Sequence, residues 1–213
     1  MPDDYGQKVT GTGITRYERV ETVDGGDGKW HYIDRQNLSN SCGPACVRMV
    51  VQMIKGVRIG EAYFAGLIAV SELGTAPSLV NPLSDTAQSA HDFDAAGTIS
   101  GHLVTALKDA KVDKARKLPA TTADWGAAWK ACSVKFPGII SVKWAGSSAA
   151  HFIVVAGPVA GTTTGILILD PAYGVQRLEL ASPTTYTPHH GGGSAGLVLA
   201  TGQLQKMEAI VTF

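Results

Sequence analysis

Two kinds of hydrophobic pattern divide this chain near Pro137, and that division constrains its fold more than any other feature. Before Pro137, apolar residues recur at helical spacing. The run Cys42 to Lys55, CGPACVRMVVQMIK, confines Arg48, Gln52 and Lys55 to one narrow stripe, with Val47, Val50, Val51 and Ile54 elsewhere, and so describes a helix buried on most sides. Pro44 suits the first turn, where an amide hydrogen is not needed, and Gly56 suits the end, where a left-handed residue closes the helix. Further helices are expected around residues 60–71, 99–110 and 122–133. The apolar stretch Ala62 to Val70 is too short to span a bilayer and reads as a buried helix. After Pro137 come short β-branched runs, GIISVKW, HFIVVA, GILILD, VQRLEL, GLVLAT and EAIVTF, separated by Gly, Thr and Pro. These describe an antiparallel sheet.

Helices first and strands second indicate an α+β fold and not alternating βαβ units. A chain of 213 residues can bury one sizeable core, so a single domain is expected over 1–213. Its parts would be a Gly- and Thr-rich N-terminal arm (1–30), a helical lobe (about 36–133) and an antiparallel β lobe (about 137–213), with a site in the cleft between the lobes. Lys plus Arg equals Asp plus Glu at 18 each, so no global field favours nucleic acid or an anionic membrane, and neither is expected as a partner. The opening MPDDYGQ is acidic and polar and lacks the basic and apolar regions of a secretory signal, so a cytoplasmic protein is expected as synthesised. Three cysteines, Cys42, Cys46 and Cys132, cannot all pair within the chain and show no zinc spacing. Reduced thiols are the expectation, and no metal.

Cys42 stands where the loop QNLSNS, beginning at Gln36, leads into the buried helix. Backbone amides and the helix dipole at such a position favour a thiolate, the more so beside an imidazolium. Cys42 is therefore the candidate nucleophile. Most free cysteines are small buried residues, and Cys46, one turn further in, is expected to be one. Ser39 and Ser41 have no G-x-S-x-G elbow around them and read as loop hydroxyls and caps.

The second half supplies an imidazole and a carboxylate. His151 opens HFIVVA and Asp170 closes GILILD. A hairpin centred on Ala160 and Gly161 would set Val155 opposite Ile166, Ile153 opposite Ile168 and His151 opposite Asp170, on one face and roughly 5 Å apart at Cβ. A carboxylate so placed fixes the tautomer and steadies the charged ring. A slip of one residue would put the two on opposite faces.

Gln36 six residues before Cys42, the CGPA run, HFIVV and ILDPAYG together resemble the papain superfamily, and within it the bacterial double-glycine (bacteriocin-processing) peptidases and related papain-like effector proteases. The resemblance covers roughly Gln36 to Leu180 in layout and matches in detail only in these short segments. It implies a papain-like fold, a Cys42–His151–Asp170 triad, and Gln36 as a side-chain donor to the oxyanion beside the Cys42 amide. It also implies a protein or peptide substrate, with cleavage at Gly-Gly sites and toxin or effector action as extensions, the latter bringing a cognate immunity protein and a specialised route of delivery. No cofactor is needed for thiol acyl transfer. A transglutaminase, an amine acyltransferase or a cell-wall amidase would use the same triad, and a non-catalytic binding module would use the same scaffold.

His31, His91 and His102 fall in no metal-binding pattern and read as surface or core residues. His189, His190 and the glycines after them read as a loop between strands. Trp125, Trp129 and Trp144 read as packing residues, with Trp144 placed to wall a subsite before His151.

Overall fold

The structure, a computed structural model, describes residues 18–22, 30–34, 36, 41–56, 59–61, 63–64, 68, 98–119, 121–122, 124–159, 162–179, 184–188, 201–205 and 208–213. Helix α1 (Cys42–Lys55) begins and ends where its sequence predicts. Gly56 closes it at φ 67°, and its N–H donates to the Gln52 carbonyl at 2.8 Å. Cys46, Val47, Met49 and Val50 are wholly buried, and Arg48 is buried with them, so the polar stripe narrows to half-buried Gln52 and exposed Lys55. Glu61, Tyr63, Phe64 and Ile68 are helical, with Phe64 and Ile68 buried as the apolar stretch predicts. Helices α2 (Ser100–Asp109) and α3 (Trp125–Ala131) fall within the two remaining predicted spans. Asp124 caps α3 by accepting from the Ala127 N–H at 2.8 Å.

Strands β1 (Glu18–Thr22) and β2 (Trp30–Asp34) form an antiparallel hairpin within the N-terminal region. An eight-stranded antiparallel sheet carries β3 (Arg116–Lys117), β4 (Gly138–Trp144), β5 (Ala150–Pro158), β6 (Gly165–Asp170), β7 (Gly174–Glu179), β8 (Thr185–Tyr186), β9 (Gly202–Leu204) and β10 (Ile210–Val211). Its order is β3-β10-β4-β5-β6-β7, and β4 also pairs β9, which pairs β8. The fold is thus α+β with an antiparallel sheet. The arm residues 1–17 and 23–29, most of GLVLAT, His91 and the His189–His190 loop lie outside the described residues.

Alternation along the central strands divides the core between the two faces of the sheet. Phe152, Val154, Leu167, Leu169 and Val175 pack with α1, α2, Phe64 and Ile68. Ile153, Val155, Ile166, Ile168 and Leu178 pack with Trp125 and Trp129 of α3 and with Tyr186 and Leu204. The helical half is therefore not one lobe set beside the sheet. Helix α3 covers the face opposite α1, and β3 joins the sheet edge, because both faces of β5 are apolar and each needs its own cover.

The β5–β6 register also differs from the expected one. The ladder pairs Val155 with Ile168 and Val154 with Leu169, two residues away from the expected pairing, so Asp170 comes level with Ile153 and not with His151. A shift of two keeps the alternation, so His151 and Asp170 still share a face. Farther out, Gly157 pairs Leu167 and Pro158 pairs Ile166, and the one-residue offset between these segments is a β-bulge between Val155 and Gly157. Without that extra residue the outer register would continue inward and send His151 to the face opposite Asp170. Gly157 sits at φ 114°, and a Cβ there would lie 2.6 Å from the Cys132 carbonyl oxygen, so only glycine fits the bulge.

Candidate active site

Three segments distant in sequence converge where β5 begins. Helix α1 brings Cys42 at its first residue, 7 % exposed. Ser41 precedes it without a side-chain cap, and the first helical bond runs from the Ala45 N–H to the Ser41 carbonyl at 3.1 Å. Gly43 is favoured by its neighbours, since a Cβ there would meet Thr98 Cγ2 at 2.3 Å. The Cys42 sulfur accepts the Phe152 N–H at 3.4 Å. That amide lies beyond the last β5–β6 pair, Val154 with Leu169, so the sulfur serves it where the ladder has ended.

Asp170 ends β6 wholly buried, and a buried carboxylate must be saturated with donors. Its Oδ1 accepts His151 Nε2–H at 2.8 Å, the Ala172 N–H at 2.7 Å and the Tyr173 N–H at 3.0 Å. Its Oδ2 accepts the Tyr186 O–H at 2.7 Å. Asp170 is at once the turn initiator that Asp-Pro predicts and the partner of His151. The short turn to Gly174, which has φ 89°, aims its amides back at the carboxylate. Asp170 takes Nε2, which leaves Nδ1 as the open ring nitrogen, and Cys42, whose sulfur accepts the amide of the next residue, Phe152, lies near enough to add to the rise of His151. The imidazole–carboxylate contact is diagonal across the strands, as the two-residue register shift requires.

Aromatic rings wall the pair. Trp144 stacks on the His151 ring at 5.7 Å between centroids and 22° between planes. Tyr173 meets His151 at 6.1 Å and Trp144 at 6.0 Å in T-shaped pairs, and Tyr186 lies tilted against Trp144 at 6.2 Å. Trp144 thus joins the site, whereas Trp125 and Trp129 are core residues in edge-to-face contact at 5.2 Å.

Burial alone would strip His151 of its proton. The opposing charge and hydrogen bond of Asp170, with a further contribution from Cys42, outweigh it and raise His151 to about 10. Burial likewise opposes charge on Asp170, but His151, the Tyr186 hydroxyl and the Ala172 amide hold the carboxyl below its ordinary value. Both shifts favour the charged forms, so at neutral pH the pair is an imidazolium facing a carboxylate. Burial pushes the Cys132 thiol up to about 12, and Cys46 is wholly buried, so neither resembles Cys42 in setting.

Cys42, His151 and Asp170 therefore converge where β5 begins. Gln36 is half-buried, and its backbone N–H donates to the Pro171 carbonyl at 3.2 Å, which ties the segment before α1 to the turn that follows Asp170. Sequence reasoning missed Tyr186, which stands in the polar run Pro183 to Pro188 with no alternation to mark it. It also missed the Phe152 amide, a backbone group that no side-chain pattern announces. Among the described residues no group of three or more His, Cys, Asp or Glu is placed to hold a metal ion, and no helix is long and apolar enough to cross a membrane. No family model matches this chain, and no curated protein matches it.

Proposed function

We propose that the protein is a papain-like cysteine peptidase acting on a protein or peptide substrate. The observation that carries this function is the convergence of Cys42, at the mouth of a buried helix, on a His151 ring held by the buried Asp170. The imidazolium is the counter-charge that a thiolate needs in order to persist in water. The thiolate attacks the substrate carbonyl carbon, and the new oxyanion is held by the Cys42 N–H and the Gln36 side-chain amide. His151 then gives its proton to the leaving amine as the carbon–nitrogen bond breaks, leaving a thioester. Neutral His151 next takes a proton from water, whose oxygen attacks the thioester and releases the thiolate and the acid. Asp170 keeps the ring in one tautomer through both halves, and Trp144 and Tyr173 limit water around it.

In this reading the cleft runs along the mouth of α1 above the start of β5, in a single papain-like domain. The sequence resemblance extends the proposal to Gly-Gly sites and to an effector role opposed by an immunity protein. A peptide library incubated with amine acceptors tests the reaction. Hydrolysis that falls by about 10⁴-fold or more in Cys42→Ala is the expected result. Transfer to the added amine in place of hydrolysis would assign an acyltransferase, and equal turnover by Cys42→Ala would remove the enzyme altogether.

A further inference from the structure

We propose that Tyr186 is a positioning residue of this site, holding the second carboxylate oxygen of Asp170 so that the acid keeps its charge and its angle toward His151. The assignment rests on the thiol-peptidase function proposed above. The geometry supports a role for the hydroxyl itself and not only for the ring. Tyr186 is wholly buried, and its O–H donates to Asp170 Oδ2 at 2.7 Å. The other oxygen, Oδ1, already serves His151, Ala172 and Tyr173. Without the phenol, Oδ2 would be a charged oxygen in an apolar, aromatic wall, and a carboxylate in that state protonates or turns.

The fold brings the tyrosine there by a specific route. Among the described residues strand β8 pairs β9, setting Tyr186 opposite Gly202. A Cβ at Gly202 would lie 2.2 Å from Val142 Cγ1 and 2.9 Å from Trp144 Cε3, so glycine lets β9 lie flat against β4. The Tyr186 ring is thereby delivered beside Trp144 and beneath the His151–Asp170 pair. A phenylalanine would fill the same space, so packing does not call for the hydroxyl. The titratable groups facing this junction are His151 from β5, Cys42 and Cys46 from α1, and Tyr173 from the β6–β7 turn. The phenol stays protonated, since burial and the Asp170 charge raise it well above its ordinary value. It therefore acts as a donor throughout the working range.

The test is the pH dependence of Cys42 alkylation by iodoacetamide, which reads thiolate reactivity without a known substrate. Acid reactivity is lost as the site takes up a proton, and Cys42, His151 and Asp170 titrate as one coupled set, so a change in the Asp170 carboxyl moves that limb. Tyr186→Phe is expected to move that acid limb up by about one pH unit, the loss of one hydrogen bond to a charged group. In an Asp170→Asn background the same change should move nothing further. If Tyr186→Phe does not fold, 3-fluorotyrosine at position 186, a stronger donor of nearly the same shape, should move the limb down. A merely structural tyrosine would lower the unfolding temperature and leave the limb in place, and superimposable limbs in folded proteins overturn the assignment. If wild-type Cys42 reacts no faster than a free thiol, the peptidase function fails, and the carboxyl ¹³C titration of Asp170 still decides the tyrosine. Its midpoint rises by about one pH unit in Tyr186→Phe if the assignment holds, and is unchanged if it does not.

Discussion

The two ends of the β5–β6 hairpin are built from the same kind of residue and do different work. At the outer end Gly157 and Pro158 pair Leu167 and Ile166, and Thr162 closes the loop by accepting the Gly165 N–H at 3.2 Å while donating to the Val159 carbonyl at 3.1 Å. At the inner end the ladder stops at Val154 and Leu169, and its next positions are given to a sulfur, an imidazole and a carboxylate. One bulge separates the two and changes the face on which His151 stands. A backbone irregularity at one end thus decides whether a triad can exist at the other.

The comparison breaks most completely at Gly157. Gly157→Val places a branched side chain at φ 114° against the Cys132 carbonyl. A cost of roughly 2–6 kcal/mol is expected from a strained backbone and a crowded interior, about 1–3 each. Protein that still folds by slipping the inner register should lose about 10⁴-fold in turnover although every site residue is intact; denaturant melts and an assay on the folded fraction check both. Normal turnover in that variant would mean that the bulge does not set the face.

Gln36, tied to the inner end through Pro171, is the next largest. Gln36→Ala should lower kcat by about 10²–10³-fold and leave KM nearly unchanged, as loss of an oxyanion donor does. A raised KM with an intact kcat would make Gln36 a substrate-binding residue.

Near neutrality the pH dependence of stability should come from the inner end. His151 is raised from 6.5 to about 10, so its contribution is full below 6.5 and is lost as pH rises through about 10. Asp170 is lowered from 3.8, so its contribution is full above 3.8 and is lost as pH falls through its folded value. Thermal unfolding across pH should show a plateau between these ordinary values, and His151→Gln should remove the decline that begins above 6.5, leaving the later loss above 9.0 that the raised Cys132 thiol adds. The smallest effect belongs to the outer end, where Thr162→Ala should cost about 0.5–1.5 kcal/mol in a denaturant melt with turnover unchanged.

The parts of the site that sequence exposed are those with a local signature. Cys42 is marked by the helix it begins, its Gly43-Pro44 turn and the Gly56 that ends it; Asp170 by the proline after it; His151 by the apolar strand it opens. The strand runs GIISVKW, HFIVVA, GILILD and VQRLEL are legible for the same reason, since alternation and β-branching act within a few residues. The bulge at Gly157 has no such mark, because a glycine in a strand says nothing of which carbonyl will press upon it. Tyr186 and the covering of the opposite face by α3 depend on partners far away in the chain.

The buried helix, the strands after Pro137, the candidate nucleophile and its two candidate partners were therefore legible in the amino-acid sequence itself, through interactions that span a turn or a strand. Only the tertiary structure decided the register that puts His151 on the face of Asp170, the phenol that completes the carboxylate and the tryptophan stacked over the imidazole. These choices follow from close packing and from the need of every buried polar atom for a partner, and both conditions are met only when the whole chain is in place.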